Sequence, residues 1–125
     1  MDGKIRKLPD SELEVMQAVW EYEPPVTRAQ IEEFLQPHYP IAQTTLLTLL
    51  TRLEQKQYIR VDKEARVRTY TPLVSRQEYL ARQGNRFFHK LCGGSISAFA
   101  NALCDSGLTK EELAQLRQLL ERDAL

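Results

Sequence analysis

Four times along this chain a Ser or Thr is followed three residues later by Glu or Gln, and then by apolar residues at helical spacing. The pairs are Ser11/Glu14, Thr27/Gln30, Ser75/Glu78 and Thr109/Glu112. In such a box the hydroxyl and the N3 side chain each satisfy a backbone N–H that the first helical turn leaves without a partner, so the pattern marks helix starts. The apolar series that follow are Leu13, Met16 and Trp20; Ile31, Phe34 and Leu35; Tyr79, Leu80, Phe87 and Leu91; and Leu113, Leu116 and Leu120. Two further helices show the periodicity without the box. Leu46, Leu49, Leu50 and Leu53 mark one over 43–56, and Ile96, Phe99, Ala100 and Leu103 mark another after the break at Gly93-Gly94. All six prolines fall between these segments, where a missing N–H does no harm.

One stretch follows a different period. Residues 58–62 and 67–71 are rich in β-branched and aromatic residues, and the polar run Lys63-Glu64-Ala65-Arg66 between them reads as a hairpin turn. The order is therefore three helices, a hairpin, then three more helices. That predicts a mainly α protein, with a winged helix–turn–helix over 1–73 and a three-helix domain over 74–125. In the winged-helix arrangement the third helix enters the major groove and the hairpin lies along the backbone. The second segment is too small to complete a core alone, which points to a second copy of itself. Its candidate dimer contacts are Phe87, Phe88, Leu91, Ile96, Phe99, Leu103, Leu113, Leu116 and Leu120.

Composition narrows the class further. No apolar run approaches the ~18 residues of a membrane span, no signal-peptide core is present, and two cysteines cannot staple a secreted scaffold. A cytoplasmic protein is the expectation. The net charge is zero, yet residues 52–90 hold ten Lys/Arg against four Asp/Glu, and the rest of the chain holds seven against thirteen. A basic middle in a neutral chain suggests a polyanion bound at one place.

The helix over 43–56 turns its leucines to one side and Thr44, Thr48, Thr51, Arg52 and Gln55 to the other, with Thr45 flanking. Short polar side chains, methyls and an arginine suit close approach to base edges. A plain solvated face is the competing account, although threonine is a weak helix former. Lys63, Arg66 and Arg68 cluster at the hairpin with Arg60 at its base. They fit phosphate contacts, or a charged edge that blocks strand addition. Arg76, Arg82, Arg86 and Lys90 read as a solvated face, and Lys4, Arg6 and Lys7 as a frayed arm or a phosphate contact. His89, Cys92 and Cys104 are the only soft-ligand candidates. They lack a paired-cysteine motif, and cysteine is more often a small buried hydrophobe. No phosphate loop or catalytic constellation is visible, so neither an enzyme nor a cofactor is expected.

With these residues in view, the chain resembles the family of penicillinase and methicillin-resistance repressors, BlaI and MecI, with the related copper-responsive repressor CopY. LPDSELEVMQAVW (8–20) resembles the family's first helix, and TLLTRL (48–53) the end of its recognition helix. KEARVRTYTPLVSRQEYL (63–80) resembles its wing and the start of its dimerisation helices, and KLCGGSISAF (90–99) the junction between the C-terminal helices. The resemblance implies a homodimeric repressor of palindromic operators, often built on TACA/TGTA half-sites. It also implies release by a sensor-peptidase system that leads to cleavage in the dimerisation domain, here around 98–103. By the same resemblance Thr44, Thr45, Thr48 and Arg52 fall at DNA-reading positions, and Lys63, Arg66 and Arg68 on the wing. Two departures stand out. Gln57 and Ala65 occupy places where the family usually has glycine, so the helix end and the wing tip are expected to take other conformations. The cysteine-rich motif of the copper branch is absent. The reading is a dimeric winged-helix repressor without cofactor. Its alternatives are a winged-helix protein-interaction module and a metal-dependent sensor repressor.

Overall fold

The computed structural model describes residues 5–64 and 66–123, apart from the side chain of residue 123. The expectations for Lys4 and Ala65 lie outside the described residues. The chain divides into two compact units, one running to Gln83 and one beginning at Gly84.

The first unit contains α1 (Asp10–Glu21), β1 (Val26–Thr27), α2 (Arg28–Leu35), α3 (Gln43–Gln55), β2 (Ile59–Asp62), β3 (Thr69–Pro72) and the start of α4 (Arg76–Arg86). The strands form one antiparallel sheet in the order β1-β3-β2, with both Val26 and Val61 opposite Tyr70. The fold is a winged helix. Its core joins Val15, Met16 and Val19 of α1, Ile31 and Leu35 of α2, Leu46, Leu49, Leu50 and Leu53 of α3, and Tyr58, Ile59 and Tyr70, all buried. β1 was not foreseen. A two-residue strand has no period of its own and exists by pairing with β3 far along the chain. The hairpin strands begin one or two residues later than expected, and exposed Val67 belongs to the loop.

Local chemistry explains most helix starts. Thr27 and Gln30 close a reciprocal box, with Gln30 N donating to Thr27 Oγ1 at 3.2 Å and Thr27 N to Gln30 Oε1 at 3.0 Å. Ser75/Glu78 and Thr109/Glu112 do the same. The box expected at Ser11/Glu14 does not form. Pro9 holds the N-cap position, its carbonyl accepting from Leu13 N at 2.9 Å, so α1 begins at Asp10 and Ser11 falls inside the first turn. The end of α3 also departs from expectation. Gln57 adopts φ +65°, its N–H donates to Glu54 O at 3.0 Å, and Tyr58 N donates to Leu53 O at 2.9 Å. That is a complete Schellman motif with glutamine where glycine is usual, and the buried pair Leu53 and Tyr58 closes it. The helix thus ends as it would with glycine, against the strain of a side chain in the left-handed region.

An ion pair of 2.5 Å between Lys56, the C-cap of α3, and buried Glu12 of α1 locks the two helices together. The N-terminal segment is held as well, because the Tyr58 hydroxyl donates to Arg6 O. The unit reaches ten residues beyond the boundary expected at 73/74, because the start of α4 is packed into it. The buried Tyr79 hydroxyl accepts from Leu8 N at 3.0 Å, and its ring packs on Trp20 and Tyr58. Trp20 Nε1 donates to Val74 O at 2.9 Å, and Arg76 lies over the Trp20 ring.

The second unit is a π-helical turn (Phe87–Leu91), α5 (Ile96–Asp105) and α6 (Lys110–Asp123). Gly93 and Gly94, at φ +62° and +77°, make the break, and the Ser95 hydroxyl caps α5 by accepting from Ala98 N at 3.1 Å. That cap escaped the box pattern because position 98 is alanine. Phe99 packs on Phe87 and Phe88 at ring distances of 5.7 and 5.6 Å. Beyond that cluster there is little interior. Among the described residues of this unit none is buried.

Candidate nucleic-acid interface

The packing of α3 sets the geometry. Four leucines point into the core, so Thr44, Thr45, Thr48, Thr51, Arg52 and Gln55 are driven to the solvent side, and all six are exposed. Two threonines are more constrained than their sequence suggests. The Thr48 hydroxyl donates to Thr44 O at 3.0 Å and the Thr51 hydroxyl to Leu47 O at 2.9 Å. With the hydroxyl proton given to the helix, each can offer a ligand only oxygen lone pairs and a methyl. Such a surface suits thymine methyls and donor groups on base edges. Arg52 is exposed and has no ion-pair partner among the described residues.

Lys63, Arg66 and Arg68 lie in the exposed loop between β2 and β3, with Arg60 exposed on β2. Lys63 pairs with Glu54 at 3.7 Å, tying the wing root to α3, and Asp62 Oδ1 accepts from Glu64 N within the loop. Both carboxylates stand at the edge of the basic cluster and temper it. Burial pushes the Tyr70 phenol above its ordinary pKa, while the neighbouring guanidinium groups of Arg68 and Arg28 pull it back down. Arg28 of α2 stands at the same cleft as Val67 and Arg68 of the wing. The cleft, of about 430 Å³, opens between the first turn of α2, Leu47 and the wing, with Thr27, Arg28, Arg68 and Tyr70 among its walls. Arg28 was not singled out in the sequence. Its position directly after the capping Thr27 was the available signal.

The candidate dimer residues are placed less uniformly. Phe87, Phe88 and Phe99 form the ring cluster, and Leu103, Leu113 and Leu116 are half-buried. Leu91, Ile96 and Leu120 are exposed at 76%, 71% and 59%. Cys92 is half-buried and Cys104 exposed, both as free thiols. Among the described residues no three of His, Cys, Asp or Glu converge on a metal position, and no helix is long and apolar enough to cross a membrane.

The model of the penicillinase repressor family matches residues 8–122. The penicillinase repressor of Bacillus licheniformis is 32% identical over 119 residues, covering 94% of this chain and 92% of that protein. The methicillin resistance regulatory protein MecI of Staphylococcus aureus is 28% identical over 123 residues, covering 98% of this chain and 99% of its own. The solution structure of the Bacillus licheniformis BlaI monomeric form in complex with the blaP half-operator is similar at 31% identity and TM-score 0.51, over 60% of this chain and 90% of that one. A family match over residues 8–122, with the winged-helix fold in agreement, makes this chain a member of the penicillinase repressor family.

Proposed function

We propose that this DNA-binding repressor works as a homodimer, each subunit placing α3 in the major groove of one half of a palindromic operator. Thr44, Thr45, Thr48 and Arg52 face the bases, and Lys63, Arg66 and Arg68 hold the flanking backbone. The observation that carries the reading is the division of labour in α3. One side of the helix is spent on the core, and the other is exposed, rich in threonine and free of carboxylates from Gln43 to Leu53. A face of that kind can approach a base edge without repelling phosphate.

A single winged helix contributes few base contacts, so affinity depends on coupling two of them at high effective concentration. That Bacillus licheniformis BlaI was captured as a monomeric form on a half-operator fits a module that engages half a site alone. The second unit, with apolar residues exposed along its helices, supplies the coupling. Its disruption, by proteolysis near 98–103, would release the operator and lift repression. Such a protein acts in the cytoplasm, requires no cofactor and performs no catalysis.

The test is fluorescence anisotropy against a TACA/TGTA palindrome and a scrambled duplex across a salt series. Sequence discrimination that persists as salt rises supports the proposal. Equal binding to both, vanishing steeply with salt, would reduce the interface to a basic surface.

A further inference from the structure

Arg28 and Gln43 meet across the helix–turn–helix, and their contact fixes something the sequence leaves open. With the Gln43 amide turned so that its oxygen faces Arg28, that oxygen accepts from both Nη1 and Nη2, each at 3.0 Å. The opposite orientation would set amide N–H donors against guanidinium N–H donors, so the surroundings select this one. The remaining corner of the fork is also engaged, since Arg28 Nε lies 3.7 Å from Glu32 Oε2 on the same helix. Arg28 is therefore a clamp, anchored by Glu32 and closed on Gln43.

Gln43 is the first residue of α3 and is exposed. In recognition helices the N-terminal residues are those that reach base edges. A free glutamine amide pairs with adenine, accepting from N6–H and donating to N7. Here the acceptor half is committed to Arg28, and the side chain offers its N–H donors alone. Resting on the operator reading above, we propose that Gln43, locked by Arg28, reads one base pair in each half-site and selects an acceptor-only major-groove edge, guanine with its N7 and O6, over adenine. Arg28 acts as a positioning residue through Gln43 and touches no base.

The experiment is selection of bound duplexes from a pool randomised across the operator, using the full chain, Gln43→Ala and Arg28→Met. The natural chain should prefer guanine to adenine at one position of each half-site by on the order of tenfold. Gln43→Ala should flatten that position and leave the others intact. Arg28→Met frees the amide oxygen and should move the same position towards adenine. If Arg28→Met fails to fold, Gln43→Glu decides, because it keeps the link to Arg28 but has no donor and should also lose the guanine preference. Unchanged preferences in Gln43→Ala would overturn the proposal. So would an Arg28→Met protein that binds every duplex more weakly with preferences intact, as a plain backbone contact would. A natural chain that enriches no sequence at all would overturn the operator reading, and this inference with it.

Discussion

The two units use the same local chemistry and end in opposite states. α2 and α6 both begin with a closed Thr-based box, and α4 and α5 both begin with a capping serine. Yet the first unit buries residues from every helix and strand, and the second buries none among those described. Capping and periodicity decide that a helix forms and where it starts. Tertiary burial decides whether a set of helices stands alone, because most helix stability in proteins comes from the packed face. The first unit buries a continuous core within itself, although Val67, Leu73 and Leu80 stay exposed at its surface. The second exposes Leu91, Ile96 and Leu120 and has no buried residue to set against them among those described.

A charge placed in the second unit should have the largest effect. Leu103→Asp should leave the melting transition of the winged helix in place and lower palindrome affinity by roughly two to four orders of magnitude, the span that coupling of two modules confers. Anisotropy paired with circular dichroism reads both. The converse substitution attacks the first unit. Leu53→Ala removes a fully buried side chain from α3 and the contact that closes its Schellman motif, and should cost about 3 kcal/mol in chemical denaturation. It should leave chain association largely untouched.

A third prediction uses pH. Burial pushes the Tyr58 phenol to about 12 from an ordinary value of 10.0, so the folded state holds this proton more tightly than the unfolded state. The stability it contributes is fully present below pH 10 and is lost as pH rises towards 12. Alkaline denaturation monitored through the near-ultraviolet signal of the first unit should show this fall, and Tyr58→Phe should reduce it, leaving the part that the raised Tyr70 phenol contributes. The smallest effect is at Gln57. Gln57→Gly relieves a side chain at φ +65° and should raise stability by about 1 kcal/mol, net of the extra freedom glycine has when unfolded.

Much of this architecture was legible because the signals are local. The boxes at Thr27, Ser75 and Thr109, the leucine face of α3 and the glycine break at 93–94 each lie within a few residues. What sequence reading missed is set at a distance or by a competitor. Pro9 displaced Ser11 as the cap of α1. β1 exists only against β3, and the boundary moved beyond 73/74 because Tyr79 reaches Leu8, Trp20 and Tyr58. At the interface, the exposed threonines and basic wing were readable as residue types on a helix face and a turn. The clamp of Arg28 on Gln43, and the hydroxyl bonds that restrict Thr48 and Thr51, appear only once the helices are placed.

In the proposed repressor two chains act together through the second unit, which buries none of its described residues alone. Sedimentation velocity of the chain, free and with one palindromic duplex for every two chains, separates one-chain from two-chain complexes. The expected result is a dimer in solution and two chains on each duplex, with no populated one-chain complex. A monomer that binds the palindrome tightly and singly would contradict it.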